Sequence, residues 1–275
     1  MLLFTSSLNS GSNGNCYYVG DHASAVLVDV GISCREVEKR MARLKLPMSR
    51  VKAIFISHEH TDHIKGVEVL SKKYRLPVYI TPSTLRSSRL ELEEELIRPF
   101  LAGKPVVIGE LSVTGFKKFH DASEPHSFIV ERMGVKVGVF TDIGMPCDQV
   151  VHYFKQCHAA FLEANYDEQM LEEGHYPYYL KKRISGDKGH LSNTQALSLF
   201  TKYKPDFMSH LFLSHLSKEN NSPHMVQELF AQRAGRTSVI VASRYMETEV
   251  FGISNDFVIT KPKVVASKHS QLSLF

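Results

Sequence analysis

Apolar residues in the first part of the chain come either in alternation with polar ones or in short unbroken runs, and between the runs their period lengthens to that of a helix. Leu2–Ser7 predicts a strand, followed by a glycine- and asparagine-rich turn, LNSGSNGNC. Cys16–Val19 and Ala25–Asp29 are β-rich runs separated by a polar Gly20-Asp21-His22 hairpin signal. At Ser33 the pattern changes. Ser33 with Glu36 forms a capping box, and Val37, Met41 and Leu44 recur at helical spacing until Pro47. Val51–Ser57 is a short apolar strand; Ile64, Val67 and Leu70 then resume a helix that ends before Pro77, and Pro77–Thr81 predicts the next strand. The charged segment Arg89–Ile97 predicts a solvated amphipathic helix.

Residues 105–119 and 126–141 carry β patterns with glycine turns, as in paired antiparallel strands. Ala159–Glu163, Phe207–Ser214 and Thr237–Ala242 predict short strands, and Leu191–Lys202 (near a Ser192 cap) and Ser222–Arg233 predict helices. The tyrosine-rich stretch His175–Tyr179 reads as irregular. No repeat at solenoid periods is present. Beyond Val258 the chain turns polar and lysine-rich, so the expected division is a domain over 1–258 and a basic flexible tail over 259–275. A chain of 275 residues can bury a sizeable core without disulfides.

Composition narrows this little. The balance of 33 Lys+Arg against 29 Asp+Glu tolerates a polyanionic partner without demanding one. Cys16, Cys34, Cys147 and Cys157 form no CxxC pair and are expected to be reduced. The N-terminus lacks a basic region and a long enough apolar run for a signal peptide, and nothing approaches a membrane span. The expectation is a soluble cytoplasmic protein with no membrane partner.

Histidine changes the picture, with 14 copies. In His58-Glu59-His60-Thr61-Asp62-His63, directly after an apolar strand, His58 and His60 lie on one side of an extended segment, and Asp62 and His63 follow as the chain turns into a helix. One loop thus offers four ligands for two adjacent cations, a donor set that suits Zn²⁺ or Mn²⁺, with Fe also compatible. An isolated histidine is more often a satisfied core or surface residue; four ligand-type side chains in six positions are hard to explain that way.

The sequence S-H-x-H-x-D-H after a strand resembles the signature of the metallo-β-lactamase superfamily, and LVDVG, FHDA, FTDIG and LSHLS follow that superfamily's order. The resemblance implies an α/β fold, a four-layer αββα sandwich, with two divalent metal ions at one sheet edge. His58, His60 and His120 would hold the first ion, and Asp62, His63 and His215 the second, with Asp142 bridging. Asp29 would orient the histidine loop. His126 lies close enough in sequence to compete with His120. The segments SGSNGN, HEHTDHIKGV, LEANYD, RISGDKGHLSN and LSHLSKENN resemble one bacterial branch, the YycJ/WalJ metallohydrolases, related to the tRNA 3′-processing endonucleases and reported as DNA exonucleases. The stretch from Asp142 to His215 is too short for the inserted domain of larger nucleases, and diiron oxygen reductases usually carry glutamate where this chain has His60.

The implied function is a two-metal phosphodiesterase or exonuclease on DNA, linked to repair. Two ions lower the pKa of a shared water and bind charge developing on a phosphoryl oxygen. Asp62, His190 and Glu163 are the expected catalytic residues. His190 resembles the histidine that protonates the leaving oxygen in the tRNA-processing relatives, and Glu163 at a strand end could orient it. Lys181, Lys182, Arg183 and Lys188 could contact phosphates without reading sequence, although such clusters are often merely solvated. The terminal QLSLF resembles the bacterial sliding-clamp-binding motif, with Gln271, Leu272, Leu274 and Phe275 as anchors; the structural alternatives are an extra edge strand or a tail folded back on the domain. The alternatives are a metal-dependent hydrolase of a small ester, thioester or cyclic phosphodiester, and a non-enzymatic metal-bearing adaptor.

Overall fold

Most strands are buried on both faces, which is why their apolar runs are nearly unbroken. In the computed structural model, which describes residues 2–255, Val26, Val28, Ala53 and Phe55 join a core shared by two sheets. Their neighbours Leu27, Val51 and Ile54 point the other way, into a second core under helices Cys34–Arg43 and Val67–Tyr74. A third core packs Phe140, Leu162 and Leu213 against helices Asp148–Phe154, Asn193–Tyr203 and Pro223–Ala231. The layers are therefore helix, sheet, sheet, helix, the αββα sandwich expected from sequence. Between the sheets, Tyr17 meets Phe161 at 4.8 Å and Phe161 stacks on Phe212 at 4.6 Å. Each such buried ring contributes roughly 1.5–3 kcal/mol through the water it sheds.

The first sheet contains β1 (Leu3–Asn9), β2 (Cys16–Gly20), β3 (Ala25–Val28), β4 (Val51–Phe55), β5 (Val78–Tyr79) and β6 (Ile97–Arg98). The second contains β7 (Pro105–Ile108), β8 (Leu111–Lys117), β9 (His126–Arg132), β10 (Val135–Phe140), β11 (Ala159–Glu163), β12 (His210–Ser214) and β13 (Ser238–Val241). β14 (Phe251–Ile253) then returns to the first sheet beside β1. The two sheet orders are β14-β1-β2-β3-β4-β5-β6 and β13-β12-β11-β10-β9-β8-β7. Each is parallel in one part, β3 to β6 and β10 to β13, and antiparallel in the rest. Parallel strands send their C-terminal ends to one edge, where binding sites of α/β sheets collect.

Three expectations need correction. Arg89–Ile97 is not a helix: Arg89 (φ 57°) ends helix Pro82–Ser88, and only Glu94–Leu96 makes a 3₁₀ turn. Its charges serve tertiary pairs instead, with Arg75 bridging Glu93 and Glu95 and the Glu91 amide donating to Glu68. The tyrosine-rich stretch is partly ordered, because helix Tyr178–Ser185 starts within it. At Ser33 only half the capping box forms: Ser33 Oγ accepts from the Glu36 amide, while the Glu36 carboxylate pairs with Arg40. The reciprocal box occurs at Ser192 and Gln195. β14 had no sequence signal. All four cysteines are free, and no helix among the described residues is long and apolar enough to cross a membrane. The expected tail boundary at 258 and the 259–275 segment lie outside the described residues.

Candidate metal centre

The C-terminal ends of β3, β4, β10, β11 and β12 deliver Asp29, the 58–63 loop, Asp142, Glu163 and His215 to one edge of the sandwich, and the loop between β8 and β9 adds His120. Seven non-glycine residues have positive φ among the described residues, and three of them are Asp29 (60°), Asp142 (54°) and His215 (56°). Strained backbone concentrating at strand ends is a mark of functional positioning. Space is tight here as well. A Cβ on Gly31 would lie 1.7 Å from the Asp62 carbonyl oxygen, so only glycine lets the histidine loop sit this close.

The hydrogen bonds assign each ring its tautomer. His63 Nδ1 donates to Asp29 Oδ2 at 2.7 Å and His120 Nδ1 to the Gly189 carbonyl at 3.0 Å. His215 Nδ1 donates to Glu163 Oε1 at 2.9 Å. Ser57 Oγ donates to Asp29 Oδ2 at 2.8 Å, leaving its lone pair for His58 Nδ1 at 2.9 Å. In the neutral form of each of the four rings Nε2 would therefore keep its lone pair. His58 Nε2, His120 Nε2, His215 Nε2 and Asp142 Oδ2 are buried with no hydrogen-bond partner among the described residues. Buried acceptors converging without a donor are the arrangement a cation satisfies.

Ligand atoms of His58, His60 and His120 lie within 4.8 Å of one another, as do those of Asp62, His63 and His215, and those of His58, His63 and Asp142. The residues singled out as ligands from sequence thus come together, with Asp142 among them, and they fit two divalent ions. His126 stays outside, its ring edge-on to Phe100. Asp142, Glu163, His190 and His215 are equally close. That group is closed by hydrogen bonds rather than open to a cation, because Glu163 Oε1 accepts from both His190 Nδ1 (2.8 Å) and His215 Nδ1. Glu163 Oε2 accepts from the amides of Ile143 (2.8 Å) and Leu191 (3.1 Å).

Electrostatics agree with the donor set. Burial pushes His58 well below the ordinary histidine value and His120 down to about 4, so both rings are neutral. Burial opposes charge at His215 too, but Asp142, Asp62 and Glu163 hold it up to about 10. This cluster of carboxylates favours positive charge beside it, as a divalent ion supplies. Burial would raise Glu163, yet His190 and His215 hold it down to about 2.

Three participants carried no sequence signal strong enough to single them out. Lys118 is buried and donates from Nζ to the Thr141 carbonyl at 2.6 Å, next to Asp142 in sequence. Asp121 lies 3.2 Å from His120 Nε2 through Oδ1 and binds Arg183 Nε at 2.6 Å through Oδ2. Asn15 Nδ2 reaches Asp62 Oδ2 at 3.2 Å. Lys118 directly precedes FHDA and Asp121 is its aspartate, so that motif could have flagged both. Of the four basic residues proposed for phosphate, Arg183 is engaged with Asp121 and Lys181 with the Glu172 carbonyl, while Lys182 and Lys188 are exposed.

Comparison with known proteins agrees with this geometry. Residues 24–215 match the family described as Beta-lactamase superfamily domain. The chain is 34% identical to exodeoxyribonuclease YycJ of Bacillus anthracis over 271 residues, covering 96% of this chain and 97% of that protein. It is 32% identical to exodeoxyribonuclease WalJ of Streptococcus pneumoniae over 221 residues, 78% of this chain and 82% of that one. Among solved structures, the metallo-β-lactamase fold protein YhfI from Bacillus subtilis superposes with a TM-score of 0.72 at 15% identity, covering 92% of this chain and all of that one (100%). The chain belongs to the metallo-β-lactamase superfamily of metal-dependent hydrolases.

Proposed function

We propose that the chain is a metal-dependent phosphodiesterase that degrades DNA as an exonuclease. The observation that supports this most directly is the His190–Glu163 pair beside the ligand cluster. Cleaving a phosphodiester releases a poorly stabilised alkoxide, which needs a proton, and an imidazole anchored through Nδ1 with a partly open ring is built to give one. DNA as the substrate rests on the names of the relatives.

His58, His60 and His120 would hold one ion, Asp62, His63 and His215 the other, and Asp142 both. When bound, the ions supply Lewis acidity that activates water and stabilises charge on a phosphoryl oxygen. Asp29 fixes the His63 ring and the Ser57 hydroxyl, and so the orientation of the loop. Asp62 keeps an open edge, with its side chain 23% exposed against 2% for Asp142, and is the carboxylate able to take a proton from the attacking water. Glu163 holds His190 toward the leaving oxygen, and the exposed Lys182 and Lys188 guide the strand's phosphates.

The test is cleavage of end-labelled DNA and RNA by protein loaded with Zn²⁺ or Mn²⁺, with His60→Ala as the control. His190→Ala should keep its metal content and lose roughly 10²–10⁴-fold in turnover. A nitrophenyl phosphodiester, whose leaving group needs no proton, should be far less affected. Equal losses on both substrates would make His190 a positioning residue, and hydrolysis of small esters alone would replace the nuclease reading.

We also propose that Gln271, Leu272, Leu274 and Phe275, which lie outside the described residues, dock on a bacterial sliding clamp. The QLSLF pattern supports this. A peptide of this end should bind the clamp weakly, because ordering so short a segment offsets much of its contact energy. Polarisation should detect binding that Leu274→Ala and Phe275→Ala abolish; none at millimolar clamp would refute docking.

A further inference from the structure

Directly after His215 the chain lines a cavity of about 230 Å³, whose other walls come from the loop after β1 and the loop after β13. Ser10, Ser217, Lys218, Ser243, Arg244 and Tyr245 face it, and no carboxylate does. Its lining is therefore cationic. A larger cavity of about 420 Å³ beside helix Tyr178–Ser185 sets Glu168 and Glu172 against Lys181 and Lys182, so its charges balance. Only the first selects for an anion.

Arg244 is its centre. Its Nη1 is buried and has no hydrogen-bond partner among the described residues. The backbone around it, by contrast, is held from several sides. Asn13 Nδ2 donates to the Arg244 carbonyl at 2.8 Å, the Ser10 amide to the Ser243 carbonyl at 3.1 Å, and the Tyr245 amide to Ser243 Oγ at 3.0 Å. Arg40 Nη2 donates to the Tyr245 carbonyl at 3.1 Å. Gly11, at φ 136°, lets the first loop approach so closely that a Cβ there would sit 3.3 Å from Arg244 Cβ. The fold fixes the backbone that carries this guanidinium and leaves Nη1 without an acceptor among the described residues, and a buried cationic donor without an acceptor is costly. Lys218 adds a second charge, paired among the described residues with the largely exposed Glu219 at 3.3 Å, a weak pair.

The cavity also adjoins the metal centre. The His215 amide donates to Ser10 Oγ at 2.8 Å, and Leu216 and Ser217 form the wall. Tyr245 lines the same cavity and is 71% exposed, and an exposed aromatic ring is a surface on which a base can stack.

We propose that this cavity binds the phosphate next to the scissile one on the same strand, with Arg244 and Lys218 on its oxygens and Tyr245 against the attached base. This rests on the phosphodiesterase reading. It makes the preferred substrate at least two phosphates long.

The probes are thymidine 3′,5′-bisphosphate and the two thymidine monophosphates, titrated against the metal-loaded full chain. The bisphosphate should bind roughly ten- to a hundredfold more tightly than either monophosphate, the range of a charge-assisted contact. Arg244→Gln should remove that gain, and Lys218→Gln and Tyr245→Ala part of it. Turnover of bis(p-nitrophenyl) phosphate, with a single phosphate, should stay within about twofold, a range set by the absent second contact. If Arg244→Gln fails to fold, the two exposed-residue variants decide by their partial loss of the gain. A bisphosphate no tighter than the monophosphates, or a gain that survives all three substitutions, overturns the proposal. DNA cleavage without bisphosphate preference would remove the cavity's role and leave the nuclease reading; preference without DNA cleavage would do the reverse.

Discussion

Glu163 is the residue whose four acceptor contacts leave no room for a substitute. Oε1 serves two imidazoles and Oε2 two backbone amides. An amide has one oxygen, so however Glu163→Gln is turned, its NH₂ group faces buried donors. The expected cost is about 1–3 kcal/mol, the usual penalty for unsatisfied buried groups, read by urea denaturation. The sign with pH follows from the direction of the shift. Folding lowers this carboxyl from 4.5 to about 2, so the stability it contributes is complete above its unfolded value and lost as pH falls toward the folded one. The gap between wild type and variant should close in that window; a gap constant from pH 7 down to 2 would contradict the account. At this scale the candidate ligand set was legible because four of its members sit in one hexapeptide and the others in short recognisable motifs. Lys118 was not, since a lysine in a loop has no signature until folding brings it against Thr141, and Asp121, although inside FHDA, shows its role only once folding brings Arg183 to it.

Elements were legible where burial dictates their pattern and illegible where charge does. The two-faced apolar runs of β3, β4, β11 and β12 had no other explanation, but Arg89–Ile97 looked helical because its acidic residues could equally serve local or distant partners. Arg75 resolves that by taking two of them. The tightest junction between elements is Gly31 against the 58–63 loop. Gly31→Ala should displace the Asp62 backbone, at or above the roughly 1–3 kcal/mol usual for overpacking. Metal analysis should show lowered occupancy, most at the ion proposed for Asp62, His63 and His215. Full occupancy with unchanged thermal stability would show that the loop can retreat without losing its ligands.

Across the whole molecule, each proposed ion takes ligands from both sheets: His58, His60, Asp62 and His63 follow β4, whereas His120, Asp142 and His215 belong to the second sheet. Binding should therefore stabilise the sandwich. At a free ion concentration a hundredfold above Kd, each site adds about 2.7 kcal/mol. For a domain of this size that corresponds to roughly 5–10 °C in Tm. Elemental analysis should give about two ions per chain. Asp142→Ala should lower both occupancies, and chelation should lower Tm. One ion at saturation would refute the shared role of Asp142. The sandwich itself was readable from strand order and spacing; β14 was not, because three residues carry too short a pattern.

That late strand bears on how the protein is made. A ribosome delivers β1 long before β14, its outer neighbour, joined at Leu3↔Ile253, Phe4↔Gly252 and Thr5↔Phe251, while Ser6 and Ser7 wait for Thr248. Until Ile253 has left the exit tunnel, the nascent chain presents an unpaired strand edge, open to any other extended chain nearby. One edge of β1 is thus among the last in the first sheet to find its native partner.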